Sequence, residues 1–196
     1  MECNMIENGM IKINTVAQTI RPYEIYKLVS SNDPILKQVC KPFDFIDPPE
    51  NPVDLASSMF ETMFENKGLG LSAPQIGKPY RVFVIGYDNS NKQVFFNPEI
   101  IYTSEEEEDH LEGCLSFPRL FFKVSRPKQI KIKYQHISGE WRENEYHGLT
   151  ARCILHENDH LNGICFTERV GKTTLMMARE KERKLRIKMT RGDRNK

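Results

Sequence analysis

The sequence predicts an α+β domain on three observations. Strand-like segments crowd the middle of the chain, helical segments flank them, and one flanking helix carries the pattern HExxH. Antiparallel or mixed strands would then pack around that central helix, with another helix before them and a charged helix at the C-terminal end. No internal repeat or low-complexity linker marks a second domain, and 196 residues suffice for one ordinary core.

The first helix is read from "NPVDLASSMFETMFEN" (51–66). Pro52 suits a first turn, and Leu55, Met59, Phe60, Met63 and Phe64 recur at helical spacing as a buried stripe. "KGLGLSAPQIGKP" (67–79) is punctuated by Gly and Pro and reads as a loop or irregular edge segment. "RVFVIGYD" (81–88), "QVFFNPEIIY" (93–102) and "KQIKIKYQHI" (128–137) read as strands, the last alternating at Ile130, Ile132 and Tyr134. "EWRENEYHG" (140–148) is a weaker strand. The acidic run "EEEED" (105–109) reads as a solvated loop. "LTARCILHENDHLNG" (149–163) is the second helix, with Thr150 as its cap and Gly163 where a helix commonly ends. "TLMMAREKERKLRIKM" (174–189) is the third, followed by a frayed tail.

Composition narrows the function classes. Hydrophobic residues at 39% and charged residues at 28% give a soluble globular balance, and a net charge of +1 offers no overall field for nucleic acid. No apolar run approaches the roughly 20 residues that a membrane span needs. Residues 1–21 have neither the apolar core of a secretory signal nor the acid-poor look of a transit peptide, so they read as an extension. Cys3, Cys40, Cys114, Cys153 and Cys165 are odd in number and irregular in spacing, which favours free thiols in a reducing compartment.

The chemistry concentrates in "HENDHLNGICF" (156–166). His156 and His160, four apart on a helix, are neighbours about 5–6 Å apart at Cβ and can converge on one ion. Glu157 lies one residue around the turn, beside that ion without ligating it. In the longer form of this motif a third histidine follows at the position of Phe166, so the third ligand must be sought elsewhere. Glu180 has the spacing of a glutamate-ligand zinc peptidase but sits among charged neighbours in "AREKERK". Cys153 shares the helical face, about 6–7 Å along the axis from an ion held between the histidines, too far for a thiolate arm. Cys165 follows the helix end, and Cys114 stands beside Gly113 in the apolar segment "LEGCLSFPRL".

"GLGLSAPQ" (68–75), "EGCLS" (112–116) and "HENDH" (156–160) occur in the order and at the separations of the three signature motifs of peptide deformylases. "FNP" (96–98) and "GLTARCILHENDHLNG" add to a resemblance that runs from about Tyr26 to Phe166. It implies a catalytic domain over residues 22–170, with residues 171–196 as C-terminal helix and tail. It also implies that Cys114 joins His156 and His160 around one divalent metal, Fe(II) or alternatively Zn(II), with water at the fourth position. Glu157 then acts as general base and acid on that water, and the Gln75 side chain and Leu115 backbone N–H stabilise the oxyanion. The implied substrate is the formyl group on the initiator methionine of a nascent chain, and the product is formate.

The resemblance further implies that the backbone at Leu69, Gly70 and Gly113 pairs with an extended peptide. Leu149, Cys153 and Phe117 would line the methionine pocket. Glu112, Arg126 and Asp159 match charged positions of the family and suggest a buried ion network behind the ligands. Ser72 replaces the family's usual alanine, and Leu155 a frequent glutamine. A cytoplasmic, monomeric enzyme of bacterial or phage type follows, with an organelle as the alternative. Proximity to the ribosome is expected, without a membrane and without direct nucleic-acid binding. Two competing readings remain: a zinc peptidase using Glu180, and a closed structural site of Cys114, Cys165, His156 and His160 with no role for Glu157.

Overall fold

In the computed structural model, which describes residues 23–192, helix α1 (Pro52–Glu65) begins where proline presets the first turn. The Asn51 side chain accepts hydrogen bonds from the backbone N–H groups of Val53 and Asp54 at 2.8 and 3.2 Å. Leu55, Met59, Phe60 and Met63 are buried as the expected stripe, and Phe64 is partly buried. Each buried side chain of this size contributes about 1.5–3 kcal/mol.

β1 (Gly70–Ser72), β2 (Val82–Ile85), β3 (Gln93–Thr103), β6 (Gln129–Gln135) and β7 (Trp141–His147) form one sheet in the order β1-β2-β3-β6-β7. Every pairing in it is antiparallel. β1 and a short 3-10 turn at Ala73–Ile76 occupy the segment expected to be a loop or irregular edge. β3 accommodates Pro98 through a register shift between Phe96 and Glu99, where Asn97 takes φ +48°.

β4 (Glu107–Cys114) and β5 (Phe117–Pro127) form a separate antiparallel hairpin. This corrects the reading of residues 105–109 as a solvated loop: Glu107, Glu108 and Asp109 pair with Pro127, Arg126 and Ser125, though their side chains stay exposed. The hairpin's inward face comes from β5, where Leu120, Phe122, Val124 and Arg126 alternate as buried residues.

α2 (Gly148–Leu161) lies between the sheet and the hairpin. Its Ala151, Ile154 and Leu161 pack with Phe83, Phe95, Ile130 and Ile132 of the sheet, and Leu155 packs at the edge of the same core. The expected Thr150 cap is corrected. Extended His147 is the cap, and Thr150 falls inside the first turn, because β7 runs directly into the helix through Gly148 at φ +55°. Gly163, at φ +72°, passes so close to Lys37 that a Cβ would meet its carbonyl oxygen at 2.7 Å. α3 (Lys172–Gly192) is the charged helix, longer than its apolar pattern predicted. The expected extension at residues 1–21, Cys3, and the last four residues of the tail lie outside the described residues.

Candidate active site

Cys114 is the last residue of β4, and the two-residue turn at Leu115 and Ser116 carries the chain into β5. That places its sulfur against the face of α2 that presents both histidines. Cys114 Sγ lies 3.2 Å from His160 Nε2, and the His156 and His160 ring centroids are 5.2 Å apart. One ligand atom from each of Cys114, His156 and His160 falls within 4.8 Å of the others, and no other group of this kind exists among the described residues.

The rival third ligands lie elsewhere. Glu180 is partly exposed on α3 and is held by Arg183 at 2.8 and 2.9 Å. Cys165 Sγ lies 3.7 Å from the Leu36 carbonyl oxygen within the hairpin's own core. Cys153 Sγ lies 3.5 Å from the Leu69 carbonyl oxygen, and burial pushes its thiol well above the ordinary range, which disfavours the thiolate that a ligand requires.

Behind these three side chains runs a buried ion network. His156 Nδ1 donates to Glu112 Oε2 at 3.1 Å, which turns its Nε2 toward the sulfur. Arg126 donates to both Glu112 oxygens at 2.6 and 2.9 Å and to Asp159 Oδ2 at 2.8 Å. Two further arginines, neither anticipated from the sequence, complete it. Arg152 donates to Glu112 Oε1 at 2.7 Å and to the Val124 carbonyl at 2.8 Å, and Arg169 pairs with Asp159. Arg152 had a usable signal, since it sits one helical turn before His156.

Burial opposes ionisation of Glu112, but hydrogen bonds from His156 and Arg126 outweigh it and bring the carboxyl down to about 2 from 4.5. A lowered carboxylate adds stability that is complete above pH 4.5 and is lost as pH falls through the folded value. Glu112 is therefore expected to contribute about 3 kcal/mol that disappears between pH 4.5 and 2. Urea unfolding across that window measures it; a midpoint that does not fall would contradict the network.

Glu157 follows His156 on α2 and is 4% exposed. Its Oε2 makes no hydrogen bond in the structure, and burial pushes the carboxyl up to about 7. Gly70 is what leaves it room: a Cβ there would stand 2.4 Å from Glu157 Oε1 and 2.9 Å from Cys153 Sγ. Gln75 is buried on the 3-10 turn after β1. The Ser72 backbone N–H and hydroxyl donate to its Oε1 at 2.8 and 2.9 Å, so its Nε2 faces Cys114 Sγ at 3.5 Å and Ser116 Oγ at 3.2 Å. The departure at Ser72 thus adds a hydroxyl that fixes the orientation of the Gln75 amide.

These groups open onto a cavity of about 490 Å³. Leu69 and Gly70 line it from one side, and Gly113, Cys114, Leu115 and Phe117 from another. Leu149, Cys153, His156 and Glu157 of α2 also line it. β1 is an edge of the large sheet and β4 an edge of the hairpin, so two strand edges border the same space.

The donor set fits a divalent cation. A soft sulfur and two imidazoles suit zinc and iron alike. Burial keeps His160 well below its usual value and hence neutral, as a ligand must be. Burial also opposes protonation of His156, yet its hydrogen bonds to Cys114 and Glu112 raise it to about 10, so the surroundings favour positive charge at that ring. A cysteine and two histidines beside a buried carboxylate, at the floor of an apolar cleft, define a metallohydrolase centre.

A sequence profile described as polypeptide deformylase matches residues 25–175. A peptide deformylase of Mesorhizobium japonicum is 40% identical over 165 residues, spanning 82% of this chain and 93% of that protein. The crystal structure of a Legionella pneumophila peptide deformylase superposes with a TM-score of 0.77 at 35% identity, over 86% of this chain and 99% of that one. A Met-Ala-Ser-bound peptide deformylase from Acinetobacter baumannii gives a TM-score of 0.70 at 33% identity, over 76% and 100% of the two chains. The chain belongs to the polypeptide deformylase family.

Proposed function

We propose that this chain, through a catalytic domain spanning residues 22–170, hydrolyses the formamide bond of N-formylmethionine at the start of nascent polypeptides. Formate and a free α-amino group are the products. Cys114, His156 and His160 would hold one divalent ion per chain, iron(II) by preference and zinc(II) as the alternative. When bound, that ion supplies a Lewis acid for water and the formyl carbonyl.

The protein's own groups do the rest. Glu157, poised near neutrality by burial, takes a proton from the attacking water and returns it to the departing amine. The water oxygen bonds to the formyl carbon, the carbon–nitrogen bond breaks, and the returned proton completes the amine. Gln75 Nε2, held in one orientation by Ser72, and the Leu115 backbone N–H donate to the oxygen that gains charge. The edges at Leu69, Gly70 and Gly113 receive the peptide as an added strand, and Phe117, Leu149 and Cys153 line the space for its methionine.

The observation that carries this reading is the convergence of Cys114 Sγ and both histidines beside a carboxylate oxygen with no hydrogen bond. The Met-Ala-Ser peptide in the Acinetobacter relative supports the substrate class. Formate release from a formyl-Met peptide, measured anaerobically with metal-loaded protein, is the test. Release is expected; none from fully loaded protein would overturn the assignment.

The enzyme would act as a cytoplasmic monomer. Its relatives named above are bacterial, and no described helix is long and apolar enough to cross a membrane. The sequence of α3 holds eight Lys and Arg against two Glu in a chain of net charge +1, a composition suited to meeting the polyanionic ribosome where the substrate emerges.

A further inference from the structure

Three non-glycine residues adopt positive φ among the described residues, and two of them, Lys67 at +57° and Arg119 at +67°, line the same cavity. Both are exposed, both are cationic, and neither forms an ion pair within the described structure. Each backbone conformation has a local origin. Lys67 follows the end of α1, where the Lys67 and Gly68 N–H groups return to the Phe64 and Met63 carbonyls. That turn calls for a left-handed residue, and glycine would fill it without strain. Arg119 sits in a bulge, because Gly113 pairs with Phe121 and Cys114 with Phe117, leaving Pro118, Arg119 and Leu120 without partners. Bulges of this kind re-aim a side chain beside an active site. Long cationic side chains thus stand at two strained positions on one cavity, where small residues would serve the backbone better.

The other charged residues lining the cavity are accounted for. Glu112 and Arg152 are buried in the ion network, and Glu157 is buried at the floor. The mouth is therefore left with two unpaired positive charges. They lie on opposite banks: Lys67 is three residues before Gly70 on the sheet side, and Arg119 is across the hairpin from Gly113 and Cys114.

We propose that Lys67 and Arg119 select formyl-methionyl chains that carry a carboxylate within the first few residues after the methionine. This rests on the deformylase reading above. An extended peptide between the two edges turns successive side chains to opposite faces, so an acid at some positions meets one of the cations while its neighbours face away. Exposed ion pairs are individually weak, so the expected advantage in kcat/KM is about three- to tenfold, expressed through KM.

The test uses C-terminally amidated formyl-Met tetrapeptides with Glu, Gln or Lys at the second, third or fourth residue. Amidation separates a side-chain carboxylate from the peptide's own terminus, and free-acid versions of the Gln peptides report on the latter. At one position or more, Glu is expected to exceed Gln and Gln to exceed Lys. The advantage should collapse in about 1 M salt, where the screening length is about 3 Å. The double variant Lys67→Glu and Arg119→Glu should reverse the order. Equal rates at all three positions, an advantage confined to the free-acid terminus, or a preference unchanged in the double variant would overturn the proposal. Salt dependence of the unmodified enzyme decides the matter if the variant fails to fold. Absence of formate from every peptide would instead reject the deformylase reading, and this inference with it.

Discussion

Glu157→Gln is expected to lower kcat by about 100- to 10,000-fold, the usual worth of a positioned general base, while leaving the metal content of the purified protein unchanged. Glutamine keeps the shape of the side chain and can still donate a hydrogen bond, but it cannot accept and return a proton. Glu157 contributes no atom to the cluster of Cys114, His156 and His160, so its replacement spares the metal. A second signature runs the other way. Burial raises the carboxyl to about 7 from 4.5, so the folded metal-free protein holds this proton more tightly than the unfolded chain does. The stability linked to that proton is complete below pH 4.5 and is lost as pH rises through about 7. Above that pH the metal-free Glu157→Gln protein should unfold at higher urea concentration than its parent. An unchanged rate would remove Glu157 from the mechanism; a rate loss accompanied by metal loss would make it structural.

Cys114→Ala is expected to abolish both metal retention and formate release. In the proposed site the sulfur is one of three donors, and two imidazoles alone hold a catalytic ion poorly. The fold should survive, since Cys114 lies at the tip of the hairpin and packs only partly buried against the core of Leu36, Phe122, Val124 and Phe166, which stays in place without it. The competing peptidase reading makes the opposite forecast, with Glu180→Ala losing metal and Cys114→Ala keeping it. Glu180 is bound to Arg183 on α3 and is not part of the cluster of Cys114, His156 and His160, which leaves that forecast without a structural basis.

The helical part of this architecture was legible because burial and period coincide there. The α1 stripe ends up buried as its spacing requires, and the four-residue interval between His156 and His160 translates directly into neighbouring rings. The β4–β5 hairpin was not legible, for an identifiable reason. Its β4 strand is exposed along most of its length and acidic at its start, and β5 is interrupted by Pro118 and ends its buried alternation on a charged residue, Arg126. Burying an arginine there makes sense only once Glu112 and Asp159 are seen on either side of it. For the same reason spacing alone left the proposed third ligand open, and only the family resemblance pointed to Cys114. Spacing along the chain left four candidates, and the hairpin is what carries Cys114 to the helix while Cys165 stays buried in the hairpin's core with its sulfur beside the Leu36 carbonyl. Arg169 and Ser116 escaped for a related reason, since each acts through a partner on another structural element.

The central claim is that a thiolate from the hairpin and two imidazoles from α2 bind one and the same cation. Absorption spectroscopy of the cobalt(II)-substituted protein tests it most directly, because sulfur bonded to cobalt produces a charge-transfer band that nitrogen and oxygen donors do not. One equivalent of cobalt should bind with that band present, and Cys114→Ala should lack it. A band that persists in Cys114→Ala, or that vanishes instead in Cys165→Ala, would contradict the account.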